Sequence, residues 1–122
     1  MDAKPDAGGD LPPPELPFPY HGPDALRQPV HHALRRVADP EVAMNIVDVG
    51  LVYGVEVEDQ RLRLLLTMTS AACPVADVIV DDCQTELARV LPDGMAVDVE
   101  LVWEPPWTPD RLSARARALM GW

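Results

Sequence analysis

Between Arg61 and Val90 the hydrophobic period changes from two residues to about 3.6 across one short turn. Leu62, Leu64, Leu66 and Met68 fall on one face of a strand. Val75, Val78, Ile79, Cys83, Leu87 and Val90 then share one face of a helix. A strand running straight into a helix with a single apolar face on each can close only against another layer. The turn between them reads Thr69-Ser70-Ala71-Ala72-Cys73-Pro74. Pro at the first helical position is favourable, and it places the Cys73 thiol at a helix N-terminus. Free backbone amides and the positive dipole end stabilise a thiolate there.

The flanking segments supply the partners. Pro29 to Ala38 carries Val30, Ala33, Leu34 and Val37 in an amphipathic helical stripe, stopped by Asp39-Pro40. Ile46 to Val57 reads as a β-branched strand with a bulge near Gly50, followed by a hairpin strand over Arg61 to Thr69. The central helix covers Pro74 to Val90, and Ala96 to Trp103 alternates as a third strand. Thr108-Pro109-Asp110 reads as the start of a last helix carrying Leu112, Ala116, Leu119 and Met120. The order α-β-β-α-β-α predicts an α+β two-layer sandwich: a small three-stranded mixed sheet with helices packed on one face.

Residues 1–22 hold six of the 14 prolines, including Pro12-Pro13-Pro14, with almost no apolar periodicity. They read as a disordered proline-rich extension, leaving 23–122 as the folded domain. No signal-peptide pattern or run of about 18 apolar residues is present, so the expected location is cytoplasmic, with no membrane partner. Acidic residues outnumber basic ones 20 to 10, for a net charge of −10. That balance repels a phosphate backbone and argues against nucleic acid.

The chain has two cysteines. On one helix, Cys73 and Cys83 would lie roughly 15 Å apart, too far for a disulfide. Cys83 continues the Val75–Ile79 row and points into the core. Cys73 remains as a metal-ligating or nucleophilic thiolate, or as a small buried turn residue. Thr69 and Ser70 either bond the thiolate or serve turn chemistry. Asp39 and Glu41 read as ligands or proton acceptors near the thiol, or as a solvated helix stop. Asn45 and Asp48 read as turn residues, and His31 and His32 as solvated. Trp103 and Trp107 form a rigid apolar hook, either a partner surface or a lock on the last helix.

Four blocks, in order, carry a family resemblance. They are Asp39-Pro40-Glu41, Asn45 to Tyr53, Met68 to Pro74 and Leu101 to Asp110. Together they resemble the SufT-type iron–sulfur assembly domain, related to cytosolic iron–sulfur targeting proteins and to a phenylacetate-degradation maturation protein. The resemblance spans about residues 29–122. It implies a compact α/β fold and an assembly factor that delivers clusters to client apoproteins rather than a turnover enzyme. It makes Cys73 the key position, with Asp39, Glu41, Thr69 and Ser70 lining the same site. The phenylacetate branch has further cysteines at its C-terminus, and this chain has none after Cys83.

A cluster needs about four ligands, mostly thiolates. One exposed Cys per chain therefore implies a transient iron–sulfur cluster or iron, none tightly bound, on a labile or shared site. The sharing partner is a homodimer mate, an assembly scaffold or a client. Two alternatives stay open on the residues alone: a thiol enzyme with Cys73 as nucleophile, and an adaptor module that binds no metal.

Overall fold

The computed structural model describes residues 16–69 and 76–121. Ser70 and Cys73 lie outside them. Strands are β1 (Tyr20–His21), β2 (Ala38–Asp39), β3 (Met44–Asn45), β4 (Val52–Glu58), β5 (Arg61–Leu66) and β6 (Ala96–Leu101). Helices are α1 (Asp24–Arg35), α2 (Ile46–Val49), α3 (Ala76–Val90) and α4 (Ala114–Met120), with a 3₁₀ turn over Pro109–Arg111. The α+β class holds, with four strands in the main sheet, ordered β1-β4-β5-β6. β4 and β5 form the expected antiparallel hairpin; β6 is parallel to β5 and β1 is parallel to β4.

The sheet is one-sided. Leu62, Leu64 and Leu66 are fully buried, and Val55 packs beside them. α3 closes this core with Ile79, Cys83 and Leu87, and α1 adds Val30, Ala33 and Leu34. The opposite face carries ion pairs: Arg63 reaches Glu56 and Glu100, and Arg61 reaches Asp98. These exposed pairs keep that face in water and add little stability.

The fourth strand comes from the expected extension. Phe18 is buried, Tyr20 pairs with Val55, and the Pro19 carbonyl accepts from the Val55 amide at 2.9 Å. Residues 16–22 therefore pack on the edge of the sheet beside β4. An aromatic residue flanked by Pro17 and Pro19 can seat on a sheet edge without periodicity. His31 is half-buried, edge-on to Phe18 at 5.9 Å, rather than solvated. Burial lowers its pKa, helped by the charges of Arg35 and His32.

Helix α1 begins before Pro29, which sits inside it. The missing proline amide leaves the carbonyl of Ala25 without its helical donor, and Ala25 is exposed to water. At the other end of the chain, Thr108 starts only the 3₁₀ turn and caps nothing with its side chain. Leu112 is extended (φ −63°, ψ 139°) and buried, which interrupts the expected helix. Ser113 restarts it by accepting from the Ala116 amide at 3.0 Å.

The largest departure is at Ile46–Val49, a helical turn where strand is expected. The Asn45 side chain accepts from the Asp48 amide at 2.9 Å and caps it. Gly50 closes it in the left-handed region at φ 85°, where a Cβ would meet the Arg111 carbonyl oxygen at 2.4 Å. All four residues are buried, so no alternation marks them. The carboxylate of Asp48 takes Arg35 at 3.2 and 3.4 Å and the Asn45 amide at 2.7 Å. Its carbonyl accepts from the Ser113 amide at 2.8 Å. Burial pushes the Asp48 carboxyl up, but hydrogen bonds from Asn45, Ser113 and Arg35, with the guanidinium charge, outweigh it and hold the pKa below 3.8.

That stabilisation is present above the unfolded pKa and is lost as pH falls through the lower folded value. Asp48→Asn should lower unfolding free energy by about 2 kcal/mol at pH 7. The gap between variant and wild type should close on acidification below 3.8. Urea unfolding at pH 7 and at progressively lower pH measures both; a constant gap would rule out the charge as its source.

Candidate functional site

Asp39 is fully buried in β2. The hairpin between β2 and β3 puts it there: Ala43 takes a left-handed conformation at φ 57°, and its amide donates to the Asp39 carbonyl at 2.8 Å. One carboxylate oxygen, Oδ1, accepts from the Glu41 amide at 2.9 Å. The other, Oδ2, is buried with no hydrogen-bond partner among the described residues. A buried carboxylate with one oxygen unmet is costly, and natural folds rarely keep one without a use. Glu41 itself is exposed on the same hairpin.

A second unmet group sits at the end of β5. Thr67 is buried, and its hydroxyl has no partner among the described residues. Its amide donates to the Leu51 carbonyl at 2.8 Å. Thr69 follows, half-buried, as the last described residue before the segment that holds Ser70 and Cys73. Period-two alternation assigns Thr67 to the open face with Arg63, so its burial is not readable from the sequence. The unmet hydroxyl is the only signal, and it is structural.

Backbone bonds in series join the two arms. The Ile46 amide donates to Val37 at 2.9 Å, the Leu51 amide to Ile46 at 3.0 Å, and the Thr67 amide to Leu51 at 2.8 Å. The β2–β3 hairpin and the end of β5 thus hang on one frame, whose middle is α2. Asn45 and Asp48, read from sequence as turn residues, are the cap and the charged anchor of that frame. Their three-residue spacing is the signal that sequence reasoning had for it.

The two tryptophans separate. The Trp107 indole donates to the Val49 carbonyl at 2.8 Å and is half-buried, so it clamps the C-terminal segment onto α2. The Tyr53 hydroxyl reinforces this by donating to the Pro105 carbonyl at 2.6 Å, while Arg111 lies 4.2 Å over the Tyr53 ring. Among the described residues Trp103 has no such tie, and it is 43% exposed.

Cys83 is fully buried. Burial pushes its thiol up to about 12, with the Asp82 charge adding to the shift, so it stays protonated and unreactive. Among the described residues no group of three or more His, Cys, Asp or Glu is placed to hold a metal ion. Among them, too, no helix is long and apolar enough to cross a membrane.

The sequence model of a family described as iron–sulfur cluster assembly protein matches residues 27–101. The chain is similar to the Fe-S protein maturation auxiliary factor YitW of Bacillus subtilis, 40% identical over 99 residues, covering 80% of this chain and 96% of the relative. It is similar to the Fe-S protein maturation auxiliary factor SufT of Staphylococcus aureus, 41% identical over 86 residues, covering 70% and 97%. Its fold is similar to the crystal structure of a domain of unknown function from Bacillus anthracis, with a TM-score of 0.75 at 35% identity, covering 80% and 93%. The family match spans more than half of the chain, and both relatives are covered over nearly their whole length. The chain belongs to the iron–sulfur cluster assembly protein family.

Proposed function

We propose that this chain is a maturation factor that delivers iron–sulfur clusters to client apoproteins, with Cys73 as a labile or shared thiolate ligand. The observation that carries this reading is the state of the other thiol. The sequence holds two cysteines, and Cys83 is buried with its pKa pushed up to about 12. Each chain therefore offers one thiolate, against the four or so ligands a cluster takes. A cluster on this protein borrows the rest from an assembly scaffold, a client or a second copy. Such a site releases its cargo by ligand exchange: an incoming client thiolate replaces Cys73 on iron, and Cys73 leaves as a thiolate that takes up a proton.

Asp39, Glu41, Thr69 and Ser70 complete the site in this reading. Support comes from the unmet Asp39 Oδ2, a buried acceptor available to a proton or a cation, and from the hydrogen-bonded frame that ties Asp39 to the end of β5. The cluster is cargo rather than a resident cofactor, and the protein is a carrier rather than a turnover enzyme. A single thiolate that must remain reduced to ligate iron fits the cytoplasm. The names of the relatives from B. subtilis and S. aureus support the same pathway.

Under native conditions one thiol per chain should react with a chromogenic disulfide, and both should react after denaturation. Two fast native thiols would overturn the buried state of Cys83. Cys73→Ser should abolish the visible absorbance formed on anaerobic incubation with iron and sulfide, and also transfer to a client apoprotein, while thermal unfolding stays unchanged. Retention of transfer in that variant would remove Cys73 from the mechanism.

Asp39→Asn should change unfolding free energy by less than about 1 kcal/mol, because only one carboxylate oxygen is bonded. The same variant should slow cluster transfer. A large loss of stability with normal transfer would make Asp39 purely structural.

A further inference from the structure

Four large apolar side chains are exposed among the described residues: Val78, Leu101, Trp103 and Leu119. Three of them share one end of the sheet. β5 and β6 are parallel, so their C-terminal ends lie together, and α3, which connects them, starts at that end. Leu101 (37% exposed) ends β6, Trp103 (43%) follows it, and Val78 (51%) is in the first turn of α3. The segment that holds Cys73 runs from Thr69 to Ala76, between the same β5 end and the same helix start.

Among the described residues no strand pairs with the outer edge of β6. β6 is the last strand of its sheet. The Ala96 amide donates to Gln60 and the Val102 amide to Leu66, which turns the even-numbered residues toward β5. The pleat then directs the amides and carbonyls of Val97, Val99 and Leu101 away from the sheet. An open edge with apolar side chains at one end is a template for an added strand.

Charge selects the occupant. The net charge is −10, and among the described residues six of the nine arginines are already held by carboxylates of the chain itself. Asp77 and Glu104 flank the patch, exposed and without a cation among the described residues. A second copy of this chain brings the same negative charge to the contact and is repelled.

We propose that the outer edge of β6, with Trp103, Leu101 and Val78 at its end, docks an extended, basic and apolar segment of a client protein. The segment adds a strand to β6, and Trp103 is its anchor. The proposal rests on the reading of the chain as a maturation factor and names how the client reaches the Cys73 segment.

The test uses the full chain and a fluorescein-labelled peptide of about ten alternating valine and lysine residues. The wild type should bind it, and should not bind the valine–glutamate counterpart. Trp103→Ala should weaken binding about tenfold or more. Val99→Pro should do the same, because it removes an outward amide and leaves the bonds to β5 in place. Leu119→Ser should bind as the wild type does, and so should Cys73→Ser, which separates docking from cluster transfer.

Hydrogen exchange on the unsubstituted protein provides a check that survives a failure of Val99→Pro to fold. Bound peptide should slow exchange at Val97, Val99 and Leu101. Unchanged exchange there, or equal binding by the wild type, Trp103→Ala and a folded Val99→Pro, would overturn the proposal. Concentration-dependent self-association lost in Val99→Pro would overturn it too, by making a second copy the occupant.

Discussion

Asp48 is the point on which the architecture turns. A carboxylate with an 11% exposed side chain is costly unless hydrogen bonds meet it, and at Asp48 they do. Its donors come from three separate parts of the chain: Arg35 at the end of α1, Asn45 at the end of β3, and Ser113 ahead of α4. Satisfying one charge therefore ties three separate elements together. The turn that holds it, Ile46–Val49, then passes order onward through Leu51 to Thr67, and through the Val49 carbonyl to Trp107.

What could be read from the sequence follows from where burial is one-sided. β5 and α3 each bury one face, so their periods of two and about 3.6 were plain, and the β5–α3–β6 unit was legible apart from its ends. α2 is buried on every side and only four residues long, so it had no period, and its β-branched residues pointed to strand. The cap at Asn45 and the left-handed Gly50 decide it, and both act through backbone geometry that composition does not display. Residues 16–22 were hidden for a different reason. Their prolines suppress every periodic signal, yet Phe18 alone carries enough apolar surface to seat the segment on the sheet edge.

The candidate site was legible by residue type and illegible by environment. Asp39 stood out beside Pro40, but nothing in the sequence separated a solvated acid from a fully buried one with an unmet oxygen. Thr67 was invisible because alternation placed it in water. Cys83 was legible, since helical spacing from Ile79 turned it inward, and its raised pKa is the chemical consequence of that packing. Desolvation stabilises the neutral thiol, so the same α3 face that builds the core removes one of the two cysteines from iron chemistry.

The parallel pairing of β5 with β6 links this chemistry to the surface around it. Had β6 run antiparallel to β5, its last residues would have left the sheet at the opposite end from Thr69. Leu101 and Trp103 would then have been about a strand length, some 20 Å, from Thr69. Parallel order requires a crossover, and the crossover is α3, whose N-terminus returns to the same end. One topological choice thus gathers three things: the start of α3, an apolar rim, and the last strand of the sheet. The same crossover leaves β6 as the last strand of its sheet, ending where β5 finishes and α3 begins.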